Sequence, residues 1–326
     1  MFLKRIFFIF LCIAFSLHPN DPDLESLEDS VVTPWFTGPL LAPTGTVVPS
    51  GNFAIYPYIY YIVDSNIYDA KWEKKSQPKF YTLSSQVFGY FGLTSWMDLE
   101  IIAQMSYQRT QGQGSAQFGD LIAGFGFQLY PVDADTWVPG VKLAILETFP
   151  TGKFSSLNPA KLSTDSSGGG TFGTGLSLIL YKAYHLGGFH FLSVTLSSEY
   201  VITTPVKVNG LNAYGGGLGT NGKVHPGNIF ESIASFDFSF SRNWAASLDT
   251  VWHHVDRAIF SGESGLDKNG DPVVFSNPSS ELFSLAPALE YNFSDALGLS
   301  CGCWFSVLGR NAADFISGVA ELYCSF

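Results

Sequence analysis

The sequence predicts an all-β fold: a transmembrane antiparallel up-and-down β-barrel of about twelve strands, preceded by an N-terminal signal peptide. Three observations lead there: a two-residue period in side-chain character, connections that alternate in length, and a shortage of charge. Segment 228–241 shows the period. Phe230, Ala234, Phe236, Phe238 and Phe240, with only Ser232 intervening, fall on one parity, while Ile229, Glu231, Ile233, Ser235, Asp237, Ser239 and Ser241 fall on the other. Successive strand side chains point to opposite faces, so the segment makes one aromatic wall and one mostly polar wall. Repeated along the chain, this is the pattern of strands that alternate lipid-facing with lumen-facing residues.

Composition agrees. Only 14% of residues are charged, against 46% hydrophobic and 16% aromatic, whereas charged residues make up about 25% of an average soluble domain. Past the N-terminal run, no stretch reaches the roughly 18 unbroken apolar residues of a membrane helix. A membrane protein without such helices must close its sheet, because open edges cannot be satisfied in lipid. The formal charge of −11 argues against nucleic acid as a partner, since phosphate binding depends on Lys and Arg.

Taken in order, residues 1–16 read as a signal peptide, with Lys4 and Arg5 before the apolar run Ile6–Phe15 and cleavage near Ser16. Cys12 follows Leu11, the wrong residue type for a lipobox. Residues 17–50 are polar and then proline-rich (Pro34, Pro39, Pro43, Pro49). Proline cannot donate to a ladder, so this stretch reads as an extended segment that stays in the periplasm or plugs the barrel mouth. Residues 51–326 supply the barrel, with strands expected at about 51–64, 79–93, 97–109, 117–130, 137–149, 171–184, 189–205, 227–241, 244–260, 281–293, 297–309 and 314–326. The third sets Leu99, Ile101, Ala103, Met105 and Tyr107 against Asp98, Glu100, Gln104, Ser106 and Gln108. The ninth sets Ala246, Leu248 and Trp252 against Ser247, Asp249, His253 and Arg257.

Breaks after even-numbered strands are short, as in Arg242-Asn243, and those after odd-numbered strands are mostly long, as in 150–170 and 206–226. Outer-membrane barrels sort periplasmic turns from external loops in this way. Against the scheme stand Pro57, Pro139 and Pro287 inside proposed strands, where a closed barrel has no edge to hide them, and Glu147 on the lipid parity. Twelve is the count the pattern gives, with ten or fourteen left open.

Few motifs carry chemistry. Gly217–Gly222 satisfies G-x-G-x-x-G, but Lys223-Val224-His225-Pro226 is no helix start. Asp267–Asp271 places oxygen ligands closely without EF-hand spacing, and reads as a polar turn. His253 and His254 face opposite ways on a strand and cannot share a metal. Cys301 and Cys324 come opposite each other if the last hairpin closes around 312–313, which allows a disulfide in an exported protein; the alternative is small wall residues. No catalytic residue, cofactor or metal is called for.

The lumen face is the candidate site. Its polar parity gathers Asp98, Glu100, Glu199, Glu231, Asp237, Asp249, Glu290 and Glu321 against Lys142 and Arg257. Acidic rings make a pore prefer cations. Tyr56, Tyr58, Tyr60 and Tyr90, with Phe80 and Phe88, add an aromatic lumen patch suited to amphipathic or aromatic solutes. Loops Pro150–Gly170 and Leu211–Pro226 are placed to narrow the outer mouth.

The chain also resembles the channels labelled as transporters of the MetA pathway of phenol degradation. The resemblance rests on Gly119-Asp120, Phe149-Pro150-Thr151-Gly152-Lys153, Gly168–Gly170, Gly173-Thr174-Gly175 and the run Phe36–Pro43, and covers roughly 36–326. It implies a bacterial outer-membrane barrel that passes aromatic or other small hydrophobic compounds and has no catalytic residues. The expected function is therefore passive passage of small solutes through an acidic lumen. The expected partners are those solutes, outer-membrane lipids, and the barrel-assembly machinery through the C-terminal strand ending in Phe326. Two alternatives stay open: a structural or adhesive surface barrel acting through its loops, and a lipid-hydrolysing barrel enzyme for which His253 is the candidate.

Overall fold

A computed structural model describes residues 35–326; the expected signal peptide, Cys12 and the polar part of 17–50 lie outside the described residues. The wall is one closed antiparallel sheet. Its strands are β1 (Phe53–Tyr68), β2 (Lys74–Thr94), β3 (Met97–Thr110), β4 (Gln113–Phe118), β5 (Leu121–Tyr130), β6 (Gly140–Phe149), β7 (Gly173–Gly187) and β8 (His190–Thr203). After an excursion through β9 (Val206–Asn209) and β10 (Asn221–His225) come β11 (Ile229–Ser239) and β12 (Trp244–Val255). A second excursion holds β13 (Ile259–Glu263), and β14 (Ser280–Asn292), β15 (Leu297–Arg310) and β16 (Ala312–Ser325) complete the wall. β4 and β5 share one position beside β3, divided by a register slip at Gly119-Asp120, so the wall has twelve positions. β1 pairs with both β2 and β16, which removes every edge. Phe53 and Phe326 exchange backbone hydrogen bonds at 3.0 and 2.8 Å across that seam.

The period-two reading holds around the wall. Ile59, Tyr61, Ile101, Leu176, Phe236 and Ile316 are exposed on the outside, while Asp98, Ser235, Asp237, Asp249 and Ser300 are fully buried inside. Near the short turns the outer face carries aromatic pairs, Trp96–Phe127, Trp244–Tyr291 and Tyr291–Phe293, which form an interfacial girdle.

The prolines find places without an edge. Pro139 lies just before β6. Pro57 keeps its pairing with Val87 on β2, and the β1–β16 ladder skips from Ile55 to Tyr58. Pro287 keeps Leu248 on β12, and the β14–β15 ladder skips from Leu285 to Ala288. A residue without an N–H interrupts only one of its two ladders. Glu147 sits near the external end of β6, where its Oε2 accepts from Thr174 Oγ1 at 2.7 Å.

Three expectations need correction. The chain leaves the wall at Asp256, whose N–H donates to Asn228 O at 2.9 Å, so Arg257 stands exposed in the external connection rather than in the lumen. The first hairpin extends to Tyr68 and Lys74, well past the expected ends. The last hairpin turns at Asn311, where φ is 50°, so Cys301 faces Ala320 and Cys324 faces Leu297, four residues from Cys301. At about 3.4 Å per residue that separation excludes a bond, and all three described cysteines are free.

Above the wall, β9, β10 and β13 form a small external sheet. Val206, Val208 and Val224 form its core, covered by Phe154, Tyr214 and Phe260.

The register is testable by cross-linking. In a chain retaining Cys301 but lacking Cys303 and Cys324, Ala320→Cys is expected to form an oxidised 301–320 pair on peptide mapping. Pairing between Cys301 and Cys324 in the native sequence would instead mean a hairpin shifted by four residues.

Candidate functional site

The lumen is crossed by chain. Residues 35–49 enter beside the β11–β12 turn, where Trp35 N–H donates to Arg242 O at 3.1 Å and the Arg242 guanidinium lies 4.4 Å from the Trp35 ring. An extended segment has no partner strand, so each of its N–H groups needs an acceptor inside the barrel. The lumen carboxylates supply them. Thr37 N–H donates to Glu290 Oε1, Leu41 N–H to Asp249 Oδ2 at 2.9 Å, and Val48 N–H to Asp98 Oδ2 at 3.1 Å. Gln128 Oε1 takes Val47 N–H at 3.0 Å, and Asn292 Nδ2 donates to Trp35 O at 2.9 Å. Pro39, Pro43 and Pro49 present no N–H and lower the number of acceptors required.

Packing fixes the same segment. Leu40 is 0% exposed, set among Tyr58, Tyr60, Ala286, Ala288 and Val319. Small wall residues make room for it. A Cβ on Gly298 would stand 2.0 Å from Thr37 Oγ1, and one on Gly302 would stand 2.7 Å from Leu40 Cδ2.

The wall's one buried ion-pair cluster among the described residues lies nearby. Lys142, 1% exposed, places Nζ 2.9 Å from Glu100 Oε1 and 3.3 Å from Asp98 Oδ2, and 5.4 Å from the centre of the Tyr90 ring. Asp237 accepts from Ser193 Oγ at 2.7 Å. Glu231 pairs with His253 Nδ1 at 3.1 Å. Of the lumen residues singled out in the sequence, Asp98, Glu100 and Lys142 therefore meet in one cluster, while Asp249 and Glu290 hold the crossing segment. Tyr56, Tyr58, Tyr60 and Tyr90 cluster on the inner face, Tyr58 and Tyr60 stacked at 5.6 Å and Tyr56 edge-on to Tyr90 at 5.5 Å. Sequence reading placed Asn292 on the polar parity of its strand without giving it a role, and missed Gln128, whose inward parity was the available signal.

The space inside divides into chambers. An external vestibule of about 820 Å³ is bordered by Asp120, Gly169, Thr171 and Tyr214. A lumen cavity of about 700 Å³ is bordered by Gln86, Gln104, Ser167, Glu231, Leu41 and Trp304. A lower chamber of about 410 Å³ is lined by the crossing segment and the tyrosine cluster. Leu41 and Tyr60 border both of the latter two, so the crossing segment is what separates them.

Residues 150–172 form the inner rim between vestibule and lumen cavity, and Asp120 holds them. Its Oδ1 accepts from Gly152 N–H at 2.8 Å and its Oδ2 from Gly169 N–H at 2.9 Å. A Cβ on Gly168 would lie 2.4 Å from Asp120 Oδ1. Thr151 Oγ1 donates to Gly119 O at 2.9 Å and accepts from Leu121 N–H at 3.0 Å. Tyr214, from the other long loop, donates to Gly169 O at 2.7 Å; burial and the Asp120 charge push its phenol up to about 12. Gly119-Asp120, Thr151-Gly152 and Gly168–Gly170, far apart in the chain, are thus one joint. Lys153 also pairs with Asp165. Burial alone would raise the Asp165 pKa, but Lys153 and the Asn158 N–H outweigh it and hold the carboxyl below its ordinary value.

No protein-family model matches the chain, and comparison with curated proteins gives no match. Solved structures do. The chain is similar to the COG4313 outer membrane channel from Pseudomonas putida F1, with a TM-score of 0.67, 11% identity, and coverage of 87% of this chain and 99% of that one. The fold is that of the outer-membrane barrels. The resemblance to outer-membrane channels carried by Gly119-Asp120 and its companion motifs holds at the level of fold. More distant similarities include a TodX monoaromatic hydrocarbon channel mutant (TM-score 0.40, 13% identity, 86% and 91% coverage) and the translocator domain of the autotransporter NalP from Neisseria meningitidis (0.43, 12%, 86% and 90%). Both are too loose to carry an argument.

Two outcomes are expected for the rim. Asp120→Ala removes two charge-assisted hydrogen bonds, each worth about 1.5–3 kcal/mol, and should speed tryptic cleavage at Lys153 and Lys161 at least about tenfold without unfolding the barrel. Because the folded Asp165 pKa is lowered, its contribution is complete above the unfolded carboxylate value of about 4 and is lost as pH falls through the folded value. Amide protection in 155–167 should therefore decline as pH falls below about 4, and Asp165→Asn should flatten that dependence.

Proposed function

We propose that this barrel is a passive outer-membrane channel for small solutes, aromatic or hydrophobic compounds among them, closed at rest by residues 35–49. One observation carries the reading: open volumes of about 700 and 410 Å³ stand on either side of a segment that is tethered to the wall by side chains rather than by a sheet ladder. A permanent filling would need no chambers above and below it. Leu40 and Leu41 act as the stopper, and the Asp120 joint sets the width of the outer mouth. Asp98, Glu100, Glu231, Asp237, Asp249 and Glu290, offset by Lys142, bias the open path toward cations by focusing the field of several carboxylates into a low-dielectric passage. While the segment is docked Asp98, Asp249 and Glu290 are occupied as its acceptors, so selectivity and closure share these three residues.

A second reading is favoured by the external sheet of β9, β10 and β13, which has its own apolar core. A surface or adhesive role would reside there. Deleting 211–224 separates the two: loss of surface binding with unchanged permeability favours the adhesive reading.

The channel reading is tested in planar bilayers under a salt gradient. The full chain is expected to conduct rarely, and deletion of 35–49 to give steady conductance with cation-biased reversal. In that deleted background, Asp98→Asn, Asp249→Asn and Glu290→Gln together should move the reversal potential toward zero. A folded, deleted barrel that stays silent would refute the proposal.

A further inference from the structure

The lower chamber is an aromatic enclosure with a carboxylate in its wall. Tyr56, Tyr58, Tyr60, Phe88, Tyr90 and Tyr323 line it together with Glu321. The rings meet in several orientations: Tyr58 edge-on to Phe88 at 5.2 Å, Tyr56 tilted against Tyr323 at 5.0 Å, and Tyr58 stacked on Tyr60. Rings with different normals therefore line one space. Ring faces carry the negative part of the aromatic quadrupole and attract a cation, and enclosures of this kind suit alkylated ammonium groups. The protein already uses one of these rings in this way, since Lys142 Nζ lies over Tyr90.

Glu321 supplies the second, independent observation. It is 1% exposed and its Oε2 has no hydrogen-bond partner. Asp237, Asp249 and Glu290 lie close enough to interact with it electrostatically, and each also keeps one buried oxygen without a partner. Among the described residues no Lys, Arg or His forms an ion pair with any of these four carboxylates, whereas Asp98 and Glu100 share Lys142. Buried carboxylates left without a cation are costly. Packing of Leu40 against the tyrosines explains the apolar rings, but it does not explain four buried carboxyl groups set together with no cation beside them.

We infer that the lower chamber binds an organic cation, an amine or quaternary ammonium carrying an apolar or aromatic group, with the charged nitrogen against Glu321 and the tyrosine faces and the apolar part against Leu41 and Phe88. This rests on the channel reading for its physiological meaning and names the substrate class for the same lumen. Inorganic cations satisfy the carboxylate but gain nothing from Phe88 or Leu41. Neutral aromatics gain the rings and leave Glu321 unpaired.

The test is equilibrium dialysis of the folded full chain in neutral detergent at neutral pH, with phenethylamine as probe and phenethyl alcohol as its neutral counterpart. Saturable amine binding is expected, with the alcohol at least about tenfold weaker, in line with a cation–π and charge contribution of a kcal/mol or more. Glu321→Gln should weaken the amine to the level of the alcohol, Tyr58→Leu should weaken it, and Tyr58→Phe should leave it nearly unchanged, with folding followed by heat-modifiable gel mobility. If Glu321→Gln does not fold, the Tyr58 pair decides. Equal binding of amine and alcohol, binding indifferent to both substitutions, or no saturable binding of the amine would overturn the inference. Dialysis requires no conduction, so a chain that binds the amine but never conducts overturns only the channel reading.

Discussion

The interior of this barrel is organised by the need to pair backbone N–H groups where there is little water. A wall strand solves that problem with its neighbours. Residues 35–49 lie across the lumen with no neighbouring strand, and their N–H groups turn to Glu290, Asp249, Asp98 and Gln128. Charged acceptors are suited to this, since hydrogen bonds to carboxylates are shorter and about twice as strong as neutral ones. The position of the segment, the division of the lumen into chambers and the burial of the acids follow from that pairing. Small inner-wall residues such as Gly298 and Gly302 are its steric counterpart.

The outer mouth repeats the solution on a smaller scale. Asp120, placed at a register slip in the wall, uses both oxygens to hold two turns of a long loop. In each case a carboxylate ties irregular backbone to regular backbone. The wall thus carries its rigidity into segments that have none of their own. The strand slip at Gly119-Asp120 is part of the device, because a regular strand would leave no room for the loop to approach.

Most of the wall was legible in the sequence because its physics is local. Phe236, Phe238 and Phe240 against Ser235, Asp237 and Ser239 settle which face meets lipid, and short breaks such as Arg242-Asn243 settle which end turns tightly. What escaped depends on register or on distant partners. Cys301 and Cys324 were misplaced because the final strands run up to Asn311 before turning, and a shift of two residues in the turn moves the pairing by four. Arg257 kept the parity of the ninth strand but fell past its end. The external sheet was read as loop, although the alternation Val206-Lys207-Val208 hinted at it. The acids were recognised as lumen residues, yet nothing local indicates that Glu290 meets Thr37 across more than 250 residues of chain.

That separation bears on the order in which the molecule can assemble. The segment that crosses the lumen is made long before the strands that receive it. Asp249 and Glu290 lie on the paired strands β12 and β14, but Asp98 lies on β3 across the β1–β16 seam, so the full set of acceptors surrounds residues 35–49 only when that seam has closed. Contacts of such long sequence separation form late and slowly. Docking of the segment is thus completed only together with, or after, closure of the wall. The rate of that last step is set by the search of a proline-stiffened chain for its acceptors.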